Sequence, residues 1–189
     1  HVGIAAICVQ KFLDLDVTWT VANNGSVDLA LHAQRNTVFP ELPRFGLRLF
    51  LPQEMSQVNY YGMGPMECYC DKHHAASHNS YTATVWQLHE DYIRPQENGS
   101  HFDCDYVMLA GDAVRLTAVG TQPFSFNASH YTQEELTRKA HNYELEPCGS
   151  TVLCLDYAQN GIGSESCGPR LLEQYRLDDA TFNFGLRLF

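Results

Sequence analysis

A hairpin pattern near the start of the chain constrains the fold more than any other feature. Residues 17–21 alternate apolar and polar side chains, residues 27–33 alternate again, and Asn23-Asn24-Gly25 lies between them. An Asn-Gly pair between two alternating runs is the strongest short signal for a tight β-turn, because both residues tolerate positive φ. The pattern therefore predicts a β-hairpin and commits this part of the chain to a sheet.

Further alternating runs extend the β pattern along the chain. Phe45, Leu47, Leu49 and Leu51 share one face of a predicted strand at 42–51, and the hexamer Phe-Gly-Leu-Arg-Leu-Phe recurs at 184–189. An apolar run at 4–9 without alternation favours a strand buried on both faces. Other strands are predicted at 81–88, 103–109, 114–119, 123–127 and 151–157, with a turn near Gly120.

One short helix is predicted near residues 133–140. Thr132 can cap its N-terminus, Glu135 can complete a capping box, and acidic residues precede basic ones, as the helix dipole favours. Many short strands, frequent turn residues and a single short helix are typical of an all-β fold, and we expect a β-sandwich.

Charge and hydropathy exclude two classes of partner. The chain has 189 residues, enough for one domain, and a net charge of -10 from 22 acidic and 12 basic residues. Nucleic-acid binding needs clustered Lys and Arg to neutralise phosphates, so we expect no nucleic-acid partner. No apolar run approaches the roughly 18 residues that a membrane-spanning helix requires, so we expect no membrane partner.

A group of cysteines and histidines invites a metal-site interpretation. Its members are Cys68, Cys70, His73, His74 and His78. A Cys-x-Cys spacing places the two sulfurs on opposite faces of an extended segment, unlike the Cys-x2-Cys pairs of structural zinc sites. We therefore expect no metal here and interpret the group as an exposed histidine-rich loop. Seven cysteines are an odd number, which favours reduced thiols.

Three carboxylates stand at predicted loop rims: Glu67, Asp71 and Glu97. Glu97 belongs to the run Tyr-Ile-Arg-Pro-Gln-Glu-Asn-Gly, here called the 92–99 segment, in which an extended stretch ends at Pro95. Glycosidases use a pair of carboxyl groups in catalysis. A carboxylate beside a histidine could instead catalyse the acid–base ring opening of an aldose. A solvated acid at the end of a strand is the simplest alternative.

Four motifs together resemble one known family. Leu-Pro-Arg-Phe-Gly-Leu stands at 42–47. Val-Asn-Tyr-Tyr-Gly-Met-Gly-Pro stands at 58–65 and is followed by Glu67, Tyr69 and Asp71. The 92–99 segment comes next, and Gly-Ser-Glu-Ser-Cys-Gly-Pro stands at 163–169. In this order and spacing they resemble the C-terminal domain of the large bacterial β-galactosidases of glycoside hydrolase family two. The resemblance implies a galactose mutarotase-like supersandwich and a cytoplasmic bacterial enzyme that hydrolyses terminal β-D-galactosides such as lactose.

The resemblance also implies that this chain is an incomplete domain. Residues 1–189 would be one domain, a C-terminal fragment that lacks its first strands and belongs to a longer, homo-oligomeric enzyme. The catalytic glutamates of the family lie in a separate (β/α)8 barrel, so we expect no catalytic residue in this chain and no hydrolysis by it alone. The Mg and Na ions of the family are bound in other domains, and we expect no cofactor in this fragment.

The expected contribution of the domain is a wall of the sugar pocket. In the family the Gly-Ser-x-Ser-Cys-Gly-Pro loop reaches toward the sugar, which nominates Ser164, Ser166 and Cys167 as rim residues, together with Glu97. Some relatives place a stacking tryptophan in this loop, and Cys167 is the nearest counterpart here. Two alternatives stay open: a stand-alone carbohydrate-binding module, and an aldose mutarotase-like enzyme that uses Glu97 with a histidine.

Overall fold

Antiparallel strands make up most of the computed structural model, which describes residues 1–6, 10–161 and 169–189. The strands are β1 (Val2–Ala6), β2 (Gln10–Val21), β3 (Val27–Arg35), β4 (Arg44–Pro52), β5 (Gln57–Gly64), β6 (Ser77–Thr84), β7 (Ser100–Ala110), β8 (Arg115–Ser129), β9 (Ser150–Gln159) and β10 (Thr181–Leu188). Their main path runs β1-β2-β3-β10-β8-β7-β5-β6, and β9 joins β8 to β4.

Strand β8 changes partners along its length and so connects β10, on the main path, to the β9–β4 pair. Its first part pairs with β10 at Ala118 to Gly120, and its second part pairs with β9 from Ser125 to Ser129. The predicted turn near Gly120 is therefore wrong, since Gly120 lies inside one continuous strand. A β-carbon on Gly120 would overlap the carbonyl oxygen of Gln122, so this close backbone approach requires glycine.

One apolar cluster fills the space between the layers, which confirms the prediction of an all-β sandwich. Its buried members include Leu29 of β3, Phe124 of β8, Leu155 of β9 and Leu186 of β10, and three residues of β4 pack against them: Leu47, Leu49 and Leu51. Central β10, which carries the repeated hexamer, contributes to this core over most of its length. The strand that ends the sequence thus lies in the middle of the sheet.

The predicted hairpin is confirmed, whereas the predicted burial of the first strand is wrong. Strands β2 and β3 pair from Leu13 with Arg35 to Val21 with Val27, and Gly25 has a φ of 86° in the turn. Strand β1 lies at the sheet edge with both Val2 and Ile4 exposed. Local hydropathy predicted a covered strand, but no described strand covers this face. Residues 7–9 of that prediction lie outside the described residues.

The helix α1 (Gln133–Arg138) is shorter than predicted; the Thr132 cap is confirmed, whereas the predicted capping box is wrong, because the Glu135 carboxylate does not accept from the Thr132 N–H. The Thr132 hydroxyl accepts a hydrogen bond from the Glu135 N–H at 3.1 Å. The Glu135 carboxylate accepts from the Glu146 N–H at 3.0 Å, so it joins the helix to the following loop. Single-turn 3-10 helices also occur at Asn142–Glu144 and Glu173–Tyr175. Among the described helices, none is long and apolar enough to cross a membrane.

Candidate functional site

The 92–99 segment connects β6 to β7 and is buried at Pro95, Asn98 and Gly99. Asn98 is buried, its side-chain oxygen accepts from the Glu90 N–H at 3.0 Å, and its side-chain nitrogen donates to the Gln96 carbonyl at 2.9 Å. Gly99 has a φ of 70°, a conformation that costs glycine little. These bonds hold the segment in one conformation, with Glu97 directed toward the strands β4 and β9.

A buried carboxylate, Glu67, anchors both ends of the segment. It accepts from the Lys72 ammonium at 2.6 Å, from the Gly99 N–H at 2.9 Å, and from the Tyr92 hydroxyl. Burial disfavours the charge of Glu67, but these donors outweigh that cost and hold its pKa below the usual range. Glu67 is therefore an occupied, ionised anchor rather than a free acid.

A guanidinium, Arg44, anchors the middle of the segment. It donates to Asp156 through Nε at 2.9 Å and through Nη2 at 2.6 Å, and to Glu97 through Nη1 at 3.1 Å. Gly46 lies opposite Asp156 in the β4–β9 ladder and makes room for this arrangement, because a β-carbon there would overlap the Asp156 carboxylate. The three side chains form a partly enclosed ion network with one positive and two negative groups.

The surroundings shift the ionisation of this network in different directions. Burial disfavours the charge of Arg44, but the bonds to Asp156 and the attraction of both carboxylates raise its pKa. Burial raises the pKa of Glu97, and the nearby negative charge of Asp156 adds to the rise, while Arg44 opposes it. Glu97 and Glu67 thus hold the same segment with pKa shifts of opposite sign.

Several buried polar atoms near the network lack a hydrogen-bond partner among the described residues. They are Oε1 of Glu97, the hydroxyl of Tyr69 and Oδ1 of Asp71. Tyr69 is fully buried, and burial together with the charge of Glu97 raises the pKa of its hydroxyl. Asp71 packs so closely on Gly161 that a β-carbon there would overlap its carboxylate. Polar groups therefore converge where β9 ends.

The cysteines and histidines of the sequence cluster do not converge. Cys68 donates to the Met63 carbonyl at 3.4 Å, and Cys70 donates to the Gln159 carbonyl at 3.4 Å. Burial raises the pKa of both thiols, that of Cys70 to about 11, so both stay protonated. The rings of His73 and His74 contact each other at a tilt of 39°, with ring centroids 4.8 Å apart. Among the described residues no group of three or more His, Cys, Asp or Glu is placed to hold a metal ion.

Comparison with known proteins identifies the family of this chain. The family model described as β-galactosidase small chain matches residues 2–188. The chain belongs to the β-galactosidase small-chain family. It is 47% identical over 180 residues to a β-galactosidase of Actinobacillus pleuropneumoniae, covering 95% of this chain and 18% of the relative. It is 42% identical over 172 residues to a β-galactosidase of Staphylococcus xylosus, covering 91% of this chain and 17% of the relative.

The match also extends to more distant members of the small-chain family. A β-galactosidase of Pseudoalteromonas haloplanktis is 31% identical over 196 residues, covering 99% of this chain and 18% of the relative. The chain thus spans less than a fifth of the length of these relatives. The resemblance read from the four sequence motifs is confirmed.

The structure describes only one of the four residues that the sequence nominated for the rim. Glu97 lies beside Arg44, whereas Ser164, Ser166 and Cys167 lie outside the described residues, and their role stays a prediction. Asn160, which lies shortly before these three residues, is held by two hydrogen bonds. The Asn160 N–H donates to the Pro43 carbonyl at 2.9 Å, and the Asn160 side-chain oxygen accepts from the Leu177 N–H at 2.7 Å.

Sequence reasoning missed Arg44 and Asp156, although part of the signal was present. The small-chain motif Pro-Arg-Phe-Gly combines an arginine at the start of a strand with a glycine two positions later on the same face. That glycine leaves space over the strand for the partner of the arginine. The partner, Asp156, is 112 positions away, and no local pattern could identify it.

Proposed function

We propose that this chain is one domain of a longer β-galactosidase that hydrolyses terminal β-D-galactosides such as lactose. Membership of the small-chain family carries the proposal, because the matching relatives are named β-galactosidase and are about five times longer than the matched segment. In this proposal the domain supplies a wall of the sugar pocket. The rim comprises Ser164, Ser166, Cys167 and the segment that Glu97 helps to hold.

We infer that the chain alone does not catalyse hydrolysis. A glycosidase uses one carboxylic acid and one carboxylate, both free to face the sugar. Glu67 is engaged by Lys72, Tyr92 and Gly99, and Glu97 is paired with Arg44. These engagements support the assignment of the catalytic glutamates to another part of the enzyme.

In this proposal an exposed apolar face of the sheet contacts the remainder of the enzyme. Trp19 and Val21 are 51% and 72% exposed, yet cross-strand pairing puts Trp19 on the same face as the buried Leu29. Val2 and Ile4 continue this face on β1, where they pair with Leu15 and Leu13. An apolar core face that extends beyond its cover is typical of an interface with further polypeptide. Association of the parent enzyme into a homo-oligomer is part of the same proposal.

The Mg and Na ions of the family belong to the proposal only as ligands of other domains. The described residues offer no set of three or more His, Cys, Asp or Glu side chains for a metal ion. When bound elsewhere in the enzyme, such ions supply positive charge for substrate binding and transition-state stabilisation. No role of the residues described above depends on them.

The alternatives are less well supported. A mutarotase-like reaction requires Glu97 beside a histidine, but Glu97 pairs with Arg44. A stand-alone carbohydrate-binding module is not favoured, because the matching relatives are β-galactosidases of which the chain covers less than a fifth. Polarimetry on fresh α-galactose tests the first alternative. We expect no acceleration of mutarotation by the chain, and an acceleration lost in Glu97→Gln would support the mutarotase instead.

The main experiment compares three proteins on a chromogenic β-galactoside. They are the isolated chain, the Actinobacillus pleuropneumoniae relative without its matching segment, and a chimera in which residues 1–189 replace that segment. We expect turnover only by the chimera. Turnover by the isolated chain would contradict the proposal, as would a folded chimera with no activity.

A further inference from the structure

We propose that Arg44 is a positioning residue for the galactoside pocket, because it ties the 92–99 segment to the end of β9. The inference rests on the proposed function and deepens it. It assigns to one side chain the task of setting the distance between two parts of the pocket wall. Arg44 does not itself react with the sugar in this proposal.

All three nitrogens of the Arg44 guanidinium donate to two distant carboxylates. Nε and Nη2 bind Asp156, which is 112 positions away, and Nη1 binds Glu97, which is 53 positions away. A planar guanidinium presents these donors in a fixed fork, whereas a lysine ammonium is a single compact charge on a flexible stem. The geometry therefore fixes both carboxylates at once and requires arginine.

The backbone around Arg44 holds the same end of β9. Arg44 lies opposite Gln159 in the β4–β9 ladder, and the Pro43 carbonyl accepts from the Asn160 N–H at 2.9 Å. The Gln159 side chain donates to the Ser100 hydroxyl at 2.9 Å, directly after the 92–99 segment. Side-chain and backbone contacts thus converge on one junction of β4, β9 and the segment.

Glu67 cannot replace Arg44 in this role. It binds Tyr92 and Gly99, which are the two ends of the segment. Among the described residues, Arg44 is the only hydrogen-bond donor to the Glu97 carboxylate. Loss of Arg44 therefore frees the middle of the segment while its ends stay attached, and we expect a displaced pocket wall rather than an unfolded one.

The test uses the chimera defined above with Arg44→Lys and, separately, Glu97→Gln. A misplaced wall weakens substrate binding, and we expect KM to rise on the order of tenfold in Arg44→Lys, with kcat per active site changed by less than about threefold. We expect Glu97→Gln to raise KM by a smaller factor. Arg48→Lys is the matched control, because Arg48 lies four positions further along β4 and pairs with exposed Glu134 at the surface.

A merely structural role of Arg44 would give a different result. It would lower the fraction of active enzyme, measured by active-site titration, and leave KM unchanged. An unchanged KM in both Arg44→Lys and Glu97→Gln would overturn the inference, as would an equal rise in Arg48→Lys. If Arg44→Lys fails to fold, Glu97→Gln carries the test. An inactive but folded parent chimera would instead overturn the proposed function, so the two failures are distinguishable.

Discussion

The junction at the 92–99 segment and the β3–β10 ladder each contain an arginine that binds an aspartate with two nitrogens. Arg44 meets Asp156 at 2.9 and 2.6 Å, and Arg187 meets Asp28 at 2.6 and 2.9 Å. The geometry is the same, but the surroundings differ. The side chains of the first pair are 22% and 3% exposed, and those of the second pair are 55% and 35% exposed.

This difference shows that contact geometry alone does not determine how much an ion pair contributes to the free energy of unfolding. Water and salt compensate an exposed charge that loses its partner, so surface pairs contribute little. A buried charge that loses its partner keeps the cost of desolvation without the attraction that offset it. The junction should therefore be sensitive to single substitutions that the ladder tolerates.

The largest expected effect is that of Asp156→Asn. This change keeps the shape of the side chain but leaves Arg44 with only Glu97 as a charged partner, and we expect the free energy of unfolding to fall by about 3 kcal/mol. Urea denaturation of the chain measures it. Asp28→Asn is the same chemical change in the exposed pair. Equal losses in the two variants would contradict the comparison.

Glu67→Gln should have the next largest effect. Gln cannot provide the negative charge that Lys72, Tyr92 and Gly99 share, and we expect a loss of about 2 kcal/mol near neutral pH. The pKa of Glu67 in the folded state lies below its ordinary 4.5, so its contribution is complete above pH 4.5 and disappears as the pH falls through the folded-state pKa. Urea midpoints at several pH values measure this. A difference from wild type that is independent of pH would contradict the assignment.

Glu97→Gln should have a smaller effect with the opposite pH dependence. Burial raises the pKa of Glu97 above its ordinary 4.5, so its contribution is complete below pH 4.5 and is lost as the pH rises through the folded-state pKa. Gln has no proton to lose and still accepts from Arg44. We expect the variant to stay within about 1 kcal/mol of wild type and to gain relative stability from about pH 4 to about pH 7.

The same series of pH-dependent urea midpoints measures this prediction, with Glu67→Gln as the contrast. A relative stability of Glu97→Gln that falls as the pH rises would mean that the Arg44 contact outweighs burial at Glu97. The two carboxylates would then be equivalent anchors of the segment, and the distinction drawn between them would be lost.

The parts of the fold that the sequence predicted are those that short-range chemistry decides. The turn at Asn23-Asn24-Gly25 sets the register of β2 and β3, and the Thr132 hydroxyl caps α1, because each needs only residues a few positions apart. The exposure of β1 and the partner change in β8 depend instead on which layers meet. An apolar run looks the same in sequence whether or not another layer covers it.

The candidate site divides in the same way. Glu97 could be nominated because a carboxylate between a proline and an Asn-Gly turn stands at the end of an extended stretch. Its partner could not be identified, since Arg44 and Asp156 meet only when β4 pairs with β9. Because its partners are far away in the sequence, Arg44, on which we propose that the position of the segment depends, could not be recognised from local patterns.

The smallest expected effect is that of Asp28→Asn, and its response to salt sharpens the comparison further. At about 1 M NaCl the screening length falls to about 3 Å, so the attraction between Arg187 and Asp28 is already screened in the wild type. We expect the variant to differ little from wild type at low salt and not at all at high salt. The Asp156→Asn loss should persist, because salt does not enter the junction. Urea midpoints in both buffers measure this, and a loss in Asp156→Asn that salt abolishes would show that the Arg44 network is accessible to solvent ions.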